Sequence, residues 1–207
     1  MCQGRKWKRC QQRRDSLCQL VLLYEGFFIL MLAMMWNIRG LGKVEKRRKV
    51  KSVILNHKLA IVFLQETKLA MFDSGIIRSL DGFALTRGVA VDAEGSTGGL
   101  ITLWNEEAVT IKDFISNKCC IILVGTLNKL EKDVVCCNIY ALNSERERRE
   151  LWGFLINTQK TIALPWIMGG DFNTILQASE RSEWVFNKWS ARFSLVLFFR
   201  QRWLTFR

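Results

Sequence analysis

The pattern of apolar and polar positions alternates between short hydrophobic runs and charged segments, which predicts strands separated by helices. The runs at 34–38 and 60–65 are continuous, as in strands that are buried on both faces. Between them, apolar residues recur among basic ones at the spacing of an amphipathic helix. The elements predicted for the first half are a strand at 34–38, a helix at 43–57, a strand at 60–65, a helix at 72–80, a strand at 83–86 and a loop at 88–98.

The second half of the chain contains four apolar runs at short spacing, which predict an antiparallel meander. A charged amphipathic helix follows, and a last buried strand leads into Asp171. The predicted elements are strands at 100–104, 109–114, 119–127 and 134–140, a helix at 145–158 and a strand at 165–170. Mixed strands with flanking helices predict an α+β fold in which two β-sheets form a sandwich with helices outside.

Residues 1–33 differ from the rest of the chain, because a basic run leads into the apolar stretch 17–32. This order is typical of a membrane anchor. Glu25, near the middle, costs roughly 2.5–3.5 kcal/mol on insertion, while each Leu, Ile, Phe or Val returns roughly 0.3–0.6 kcal/mol. An anchor therefore stays open as an interpretation. The alternative is a leader outside the domain, with the domain beginning at Met34 or Met35.

The net charge is +12, from 31 basic and 19 acidic residues, which favours a polyanionic partner such as nucleic acid. The excess is concentrated at the two ends, so solvated basic tails explain it as well as a binding surface does. The seven cysteines include no C-x-x-C spacing, which argues against a zinc site. We interpret them as reduced thiols of an intracellular protein.

Five polar residues follow apolar strands, and strand ends in a sandwich converge at one edge. They are Asn37, Glu66, Tyr140, Asp171 and Asn173. A carboxylate at a buried strand end needs a partner, and Mg²⁺ is one that prefers one or two carboxylates. Taken singly, each residue also fits an ordinary structural role. Glu66 could be a surface acid at a strand end, and Asn37 could be a turn former. The segment 171–173 could form an Asx turn, and Tyr140 could be an edge residue of the core.

The order of the sequence motifs resembles the endonuclease/exonuclease/phosphatase superfamily, which has the DNase I-like fold. The motifs are Trp36-Asn37-Ile38-Arg39-Gly40-Leu41, Phe63-Leu64-Gln65-Glu66-Thr67-Lys68, Asn138-Ile139-Tyr140-Ala141 and Gly169-Gly170-Asp171-Phe172-Asn173. Two further segments, 96–100 and 179–182, resemble the version found in plant LINE-type retrotransposons.

This resemblance implies metal-dependent hydrolysis of a DNA phosphodiester, with Mg²⁺ or Mn²⁺ as cofactor, DNA as partner, no small-molecule cofactor, and a nuclear or cytosolic location. It implies that Glu66 binds the metal and that Asn37 helps to hold the metal–phosphate assembly. Tyr140 would contact the scissile phosphate, Asp171 would orient or activate the water, and Asn173 would stabilise the phosphate.

The sequence departs from the family pattern at its end. The family closes with a Ser-Asp-His triplet, whereas the one histidine here is His57, at the end of a predicted helix. We therefore expect residues 34–183 to be a partial domain, truncated at its C-terminal end, with 184–207 as a tail that does not match. The expected function is a retroelement endonuclease that is inactive or weak. The alternatives are a non-catalytic nucleic-acid-binding remnant and a fragment anchored in a membrane through residues 17–32.

Overall fold

The computed structural model describes residues 22–24, 27–29, 33–57, 59–80, 86–172, 196–199 and 202–203. Three helices are present in these ranges: α1 (Val44–His57), α2 (Ser74–Leu80) and α3 (Glu145–Thr161). The strands of the first half are β1 (Leu22–Tyr24), β2 (Phe27–Ile29), β3 (Ala33–Asn37), β4 (Ile61–Gln65), β5 (Thr86–Glu94) and β6 (Thr97–Asn105). Those of the second half are β7 (Val109–Asn117), β8 (Cys120–Leu127), β9 (Lys132–Tyr140), β10 (Trp166–Asp171), β11 (Val196–Phe199) and β12 (Arg202–Trp203).

The strands form two mixed sheets and one separate pair. The four-stranded sheet has the order β3-β4-β6-β5, in which β3 and β4 are parallel. The six-stranded sheet has the order β12-β11-β10-β9-β8-β7, in which β9 and β10 are parallel. Together with the helices, these sheets confirm the predicted α+β, DNase I-like sandwich.

Buried apolar side chains divide the described part of the chain into layers. Met35, on the face of β3 that meets the second sheet, belongs to the cluster between the sheets, whereas Met34 belongs to the cluster beneath α1 and α2. This alternation follows from the period of two along a strand. Leu151 and Leu155 of α3 cover the outer face of the six-stranded sheet. Because both faces of the central strands are covered, their sequences read as continuous apolar runs.

Two predictions about strands are wrong. The loop predicted at 88–98 is mostly strand β5, which forms a hairpin with β6 and turns at Gly95 and Ser96. Its glycines and acidic residues obscure the pattern, while Val89 and Val91 pack against the core between the sheets. The predicted four-strand meander contains only β7, β8 and β9, because β6 pairs with β4 in the other sheet. Spacing along the chain does not encode which sheet a strand joins.

The leader and tail are described only in part. Strands β1 and β2 pair antiparallel within the apolar stretch 17–32, for which the sequence leaves a membrane anchor open. Among the residues that the structure describes, no helix is long and apolar enough to cross a membrane. In the tail, β11 pairs antiparallel with β10. The remaining predictions for residues 1–21 and 173–195 lie outside the described residues.

Candidate active site

The candidate site lies where two strands of each sheet end. Asn37 is the last residue of β3, and Glu66 directly follows the parallel strand β4. In the other sheet, Tyr140 and Asp171 end the parallel strands β9 and β10 and are partners in the register. The site therefore takes two residues from each sheet, and they meet at one edge, where the strand-end pattern of the sequence predicts them.

Hydrogen bonds join these four side chains. The Asn37 Nδ2 atom donates to Glu66 Oε1 at 2.8 Å and to Asp171 Oδ2 at 2.6 Å. The Tyr140 hydroxyl donates to Glu66 Oε1 at 3.4 Å. Two of these contacts, Asn37–Asp171 and Tyr140–Glu66, cross from one sheet to the other. The fifth predicted residue, Asn173, lies outside the described residues.

The backbone at Glu66 adopts a conformation that is uncommon for a residue with a side chain. Its φ is +52°, in the left-handed region. Hydrogen bonds on both sides hold this segment: the Gly40 amide donates to the Glu66 carbonyl at 2.7 Å, and the Thr67 amide donates to the Gly99 carbonyl at 3.1 Å. Strained backbone of this kind persists where neighbouring structure fixes it, and it is enriched at functional sites.

Two adjacent glycines let β10 approach its neighbours closely. A Cβ atom at Gly169 would lie 2.1 Å from Met35 Sδ, on the opposite sheet. A Cβ atom at Gly170, whose φ is +149°, would lie 1.8 Å from the Ile139 carbonyl oxygen on β9. The absence of side chains at these two positions therefore brings Asp171 within hydrogen-bonding distance of Asn37.

The site concentrates negative charge. Glu66 and Asp171 accept from the same nitrogen, at 2.8 Å and 2.6 Å, so the two oxygens are no more than 5.4 Å apart. Burial, followed by the nearby charges of Glu66 and Asp171, raises the pKa of Tyr140 to about 12. The phenol is therefore protonated at neutral pH and acts as a hydrogen-bond donor.

The donor set fits a hard divalent cation. Asn37 Oδ1 is buried and has no hydrogen-bond partner within the protein, so it is available as a ligand oxygen. Within the described ranges, no group of three or more His, Cys, Asp and Glu side chains could hold a metal. Two carboxylates and an amide oxygen nevertheless suit Mg²⁺, which is commonly held by one or two carboxylates and retains several waters.

The single histidine of the sequence lies away from this cluster. His57 is the last residue of α1, and a helix of 14 residues spans roughly 20 Å. The chain then returns through β4 to reach Glu66. His57 is thus at the end of the four-stranded sheet opposite to Asn37, in agreement with the expectation that it does not replace the histidine of the closing motif.

Sequence reasoning missed two polar residues beneath the site, Gln65 and Asn138. Both are fully buried, and Gln65 Nε2 donates to Asn138 Oδ1 at 2.7 Å. The available signal was a polar residue within an apolar strand run, at 60–65 and again at 134–140. Such a residue must find a partner when buried, although the sequence does not reveal which one.

Comparison with known proteins places this geometry in a family. Residues 34–207 match the model of the Endonuclease/Exonuclease/phosphatase family. Because the match covers most of the chain, the protein belongs to this family. A search of curated proteins finds no match.

Several solved structures have a similar fold. TDP2 from Caenorhabditis elegans is 20% identical, with a TM-score of 0.51, and the match covers 73% of this chain and 49% of that one. The AP endonuclease LMAP from Leishmania major is 14% identical, with a TM-score of 0.52, covering 78% of this chain and 58% of that one. The human nocturnin catalytic domain is 15% identical, with a TM-score of 0.52, covering 81% of this chain and 73% of that one.

The chain thus spans about half of the length of the TDP2 structure and 58% of that of the AP endonuclease. At these identities the likeness shows a fold of the nuclease and phosphodiesterase type. The particular activity, substrate and partner of this chain are a matter for proposal.

Proposed function

We propose that this chain carries the metal- and phosphate-binding site of a DNA-nicking phosphodiesterase of the retroelement type, with weak or no turnover of its own. The observation that carries the proposal is the cluster of Asn37, Glu66, Tyr140 and Asp171, in which two residues from each sheet are hydrogen-bonded at one edge. Family membership supports the reaction class, because these positions lie in the motifs that mark the family in the sequence.

Glu66 and Asn37 Oδ1 are the groups that would hold Mg²⁺ or Mn²⁺. A divalent cation supplies neutralisation of the charge that develops on the phosphate, together with polarisation of its oxygens. Tyr140 donates its hydroxyl proton in a hydrogen bond to a phosphate oxygen. Asp171 accepts a hydrogen bond from the attacking water and orients it, while Asn37 holds the Asp171 carboxylate in place. Asn173 is the expected further donor to the phosphate.

DNA is the proposed substrate because exposed basic residues flank the cluster. Arg39 and Lys68 each lie two residues from a member of the site and are exposed. Lys43, immediately before α1, and Arg48, in its second turn, are also exposed. Lys46 instead donates to the Ile38 and Arg39 carbonyls, both at 2.9 Å, and so braces the turn after Asn37. A basic surface next to the site favours a phosphodiester backbone. The neighbour named as an AP endonuclease is in keeping with this substrate.

The retroelement assignment is supported by the segment 96–100, which resembles the plant LINE-type version. Its glycines contact the backbone next to Glu66: the Lys68 amide donates to the Gly98 carbonyl at 3.1 Å, and the Thr67 amide donates to the Gly99 carbonyl at 3.1 Å. The segment therefore helps to form the candidate site and is not merely a distant surface loop.

Weak or absent turnover follows from the lack of a suitably placed histidine. The sequence contains one histidine, His57, at the far end of α1. A general acid–base group typically contributes about 10²–10⁴-fold to a rate. Residues that act as a unit are strongly non-additive, so the loss of one member removes most of the effect.

The test is a pair of assays on the purified full chain, wild type beside Glu66→Gln and Asp171→Asn. In the first assay, the anisotropy of a labelled DNA duplex should report salt-dependent binding that Mg²⁺ strengthens in the wild type but not in Glu66→Gln. In the second, nicking of supercoiled plasmid with Mg²⁺ should stay at background for all three proteins. Clear nicking by the wild type that both substitutions abolish would contradict the proposed weak turnover. DNA binding that Mg²⁺ leaves unchanged in the wild type would favour a non-catalytic nucleic-acid-binding remnant.

A further inference from the structure

A buried pair of amides joins the two sheets directly beneath the site. Gln65, on β4, and Asn138, on β9, are both 0% exposed, and Gln65 Nε2 donates to Asn138 Oδ1 at 2.7 Å. Their strand neighbours on the same face, including Phe63 and Cys136, belong to the apolar cluster between the sheets. The contact is therefore a polar bridge through an otherwise apolar layer.

Asn138 is tied to the four-stranded sheet at more than one point. Its Nδ2 atom lies 3.0 Å from the Ile101 carbonyl oxygen, 3.1 Å from Thr102 Oγ1 and 3.3 Å from the Leu64 carbonyl oxygen. A buried amide is costly unless its hydrogen bonds are made. Asn138 can make these hydrogen bonds only when β9 has one particular position relative to β4 and β6. The hydrogen bonds therefore favour a single alignment of the two sheets.

This bridge lies next to the candidate site on both strands. Gln65 immediately precedes Glu66, and Asn138 is two residues before Tyr140, on the same face of β9. The site contacts that cross between the sheets, Tyr140–Glu66 and Asn37–Asp171, require the sheets to be correctly spaced. A shift of β9 against β4 would change both of these separations.

We propose that Gln65 and Asn138 are positioning residues, which set the separation between the half of the site on the four-stranded sheet and the half on the six-stranded sheet. They act through Asn37, Glu66, Tyr140 and Asp171 and contact neither metal nor DNA. The inference rests on the proposed function for its consequence on metal binding, whereas its geometric consequence can be measured without any activity.

The test substitutes Gln65→Met, which keeps the length of an unbranched side chain but removes the amide. Gln65 Oε1 is buried and has no hydrogen-bond partner in the protein, so its removal sacrifices no hydrogen bond. Removal of Nε2 leaves Asn138 Oδ1 without this donor, which typically costs about 1–3 kcal/mol. The first readout is the side-chain amide signal of Asn37 in an NMR spectrum of the full chain, because this group donates to both carboxylates. We expect the signal to shift and to exchange faster with solvent. The second readout is the affinity for Mg²⁺, which should fall about 10–100-fold, the range typical when the residues that hold metal ligands in place are replaced.

The control is Leu123→Ala, which opens a cavity in the same apolar layer, at a residue that pairs with Cys136 and not with Asn138. It should lower the thermal midpoint but leave the Asn37 signal in place. Asn138→Leu removes the other partner, from the opposite sheet, and should move the Asn37 signal in the same direction as Gln65→Met. An Asn37 signal that stays at its wild-type position in whichever of these two variants folds would overturn the inference.

The two readouts also separate this inference from the proposed function. If the wild type binds no Mg²⁺, the proposed metal site fails, and the Asn37 signal alone decides whether the bridge positions the site. If the wild type binds Mg²⁺ and the variants bind it equally well with an unshifted Asn37 signal, the metal site stands and the positioning role fails.

Discussion

Replacing Gly169 by alanine should push the two sheets apart at the site. The added Cβ would lie 2.1 Å from Met35 Sδ, 2.8 Å from Cε and 2.9 Å from Cγ. Met35 is 1% exposed and packs between the sheets, so its side chain has little free space into which it can move. Overpacking of a core typically costs about 1–3 kcal/mol. For a chain of this size that cost lowers the thermal midpoint by about 2–12 °C.

The assay is thermal unfolding of a double-mutant cycle with Met35→Ala. On its own, Met35→Ala leaves a cavity and should be destabilising by about 2–5 kcal/mol. In that background the methyl group at 169 has room, so Gly169→Ala should become neutral or stabilising. The two substitutions should therefore be non-additive by about 1–3 kcal/mol.

Gly170→Ala is the informative contrast. Its Cβ would meet the backbone of Ile139 and not a flexible side chain, and the residue has a positive φ. Removal of the Met35 side chain should therefore give no relief. Strictly additive effects of Gly169→Ala and Met35→Ala, or equal rescue of both glycine variants, would refute the interpretation that Gly169 sets the distance between the sheets.

Three further predictions concern stability and DNA binding. Burial raises the pKa of the Cys136 thiol from 9.0 to about 12, so the folded state favours the neutral thiol. This preference leaves the free energy of unfolding unchanged below pH 9, and it lowers the free energy of unfolding by about 1.4 kcal/mol per pH unit as the pH rises from 9 towards 12. Urea unfolding from pH 8 to 11 should show a shallower alkaline decline in Cys136→Ala. Ser144 caps α3 by accepting from the Glu147 amide at 3.5 Å, so Ser144→Ala should cost about 0.5–2 kcal/mol in the same assay. The double substitution Arg39→Gln with Lys68→Gln should weaken binding of a DNA duplex. In a plot of log affinity against log salt concentration, the slope should become shallower by up to about two released counterions. An unchanged slope would mean that DNA binds elsewhere.

The sequence was most informative where apolar runs end abruptly in a polar residue. Neighbouring parallel strands end together, which places Asn37 beside Glu66 in one sheet and Tyr140 beside Asp171 in the other. That the two pairs belong to different sheets is decided by the fold and not by the pattern along the chain. Strand β5 was missed because its glycines and acidic residues resemble a loop, and its pairing with β6 is decided by the fold. The bridge between Gln65 and Asn138 was also missed because the fold decides which residues meet, since 73 residues separate the two partners along the chain.

The most direct test of the candidate site is a Mn²⁺ titration of the full chain, followed by calorimetry or by the Mn²⁺ electron paramagnetic resonance signal. The matched control for Glu66→Gln is Glu107→Gln, an exposed acid at the opposite end of the four-stranded sheet, where the Asn105 amide donates to the Ala60 carbonyl. We predict that the wild type and Glu107→Gln bind one Mn²⁺ ion with equal affinity and that Glu66→Gln loses this binding. Equal Mn²⁺ binding by all three proteins, or none by the wild type, would contradict a metal site at Glu66.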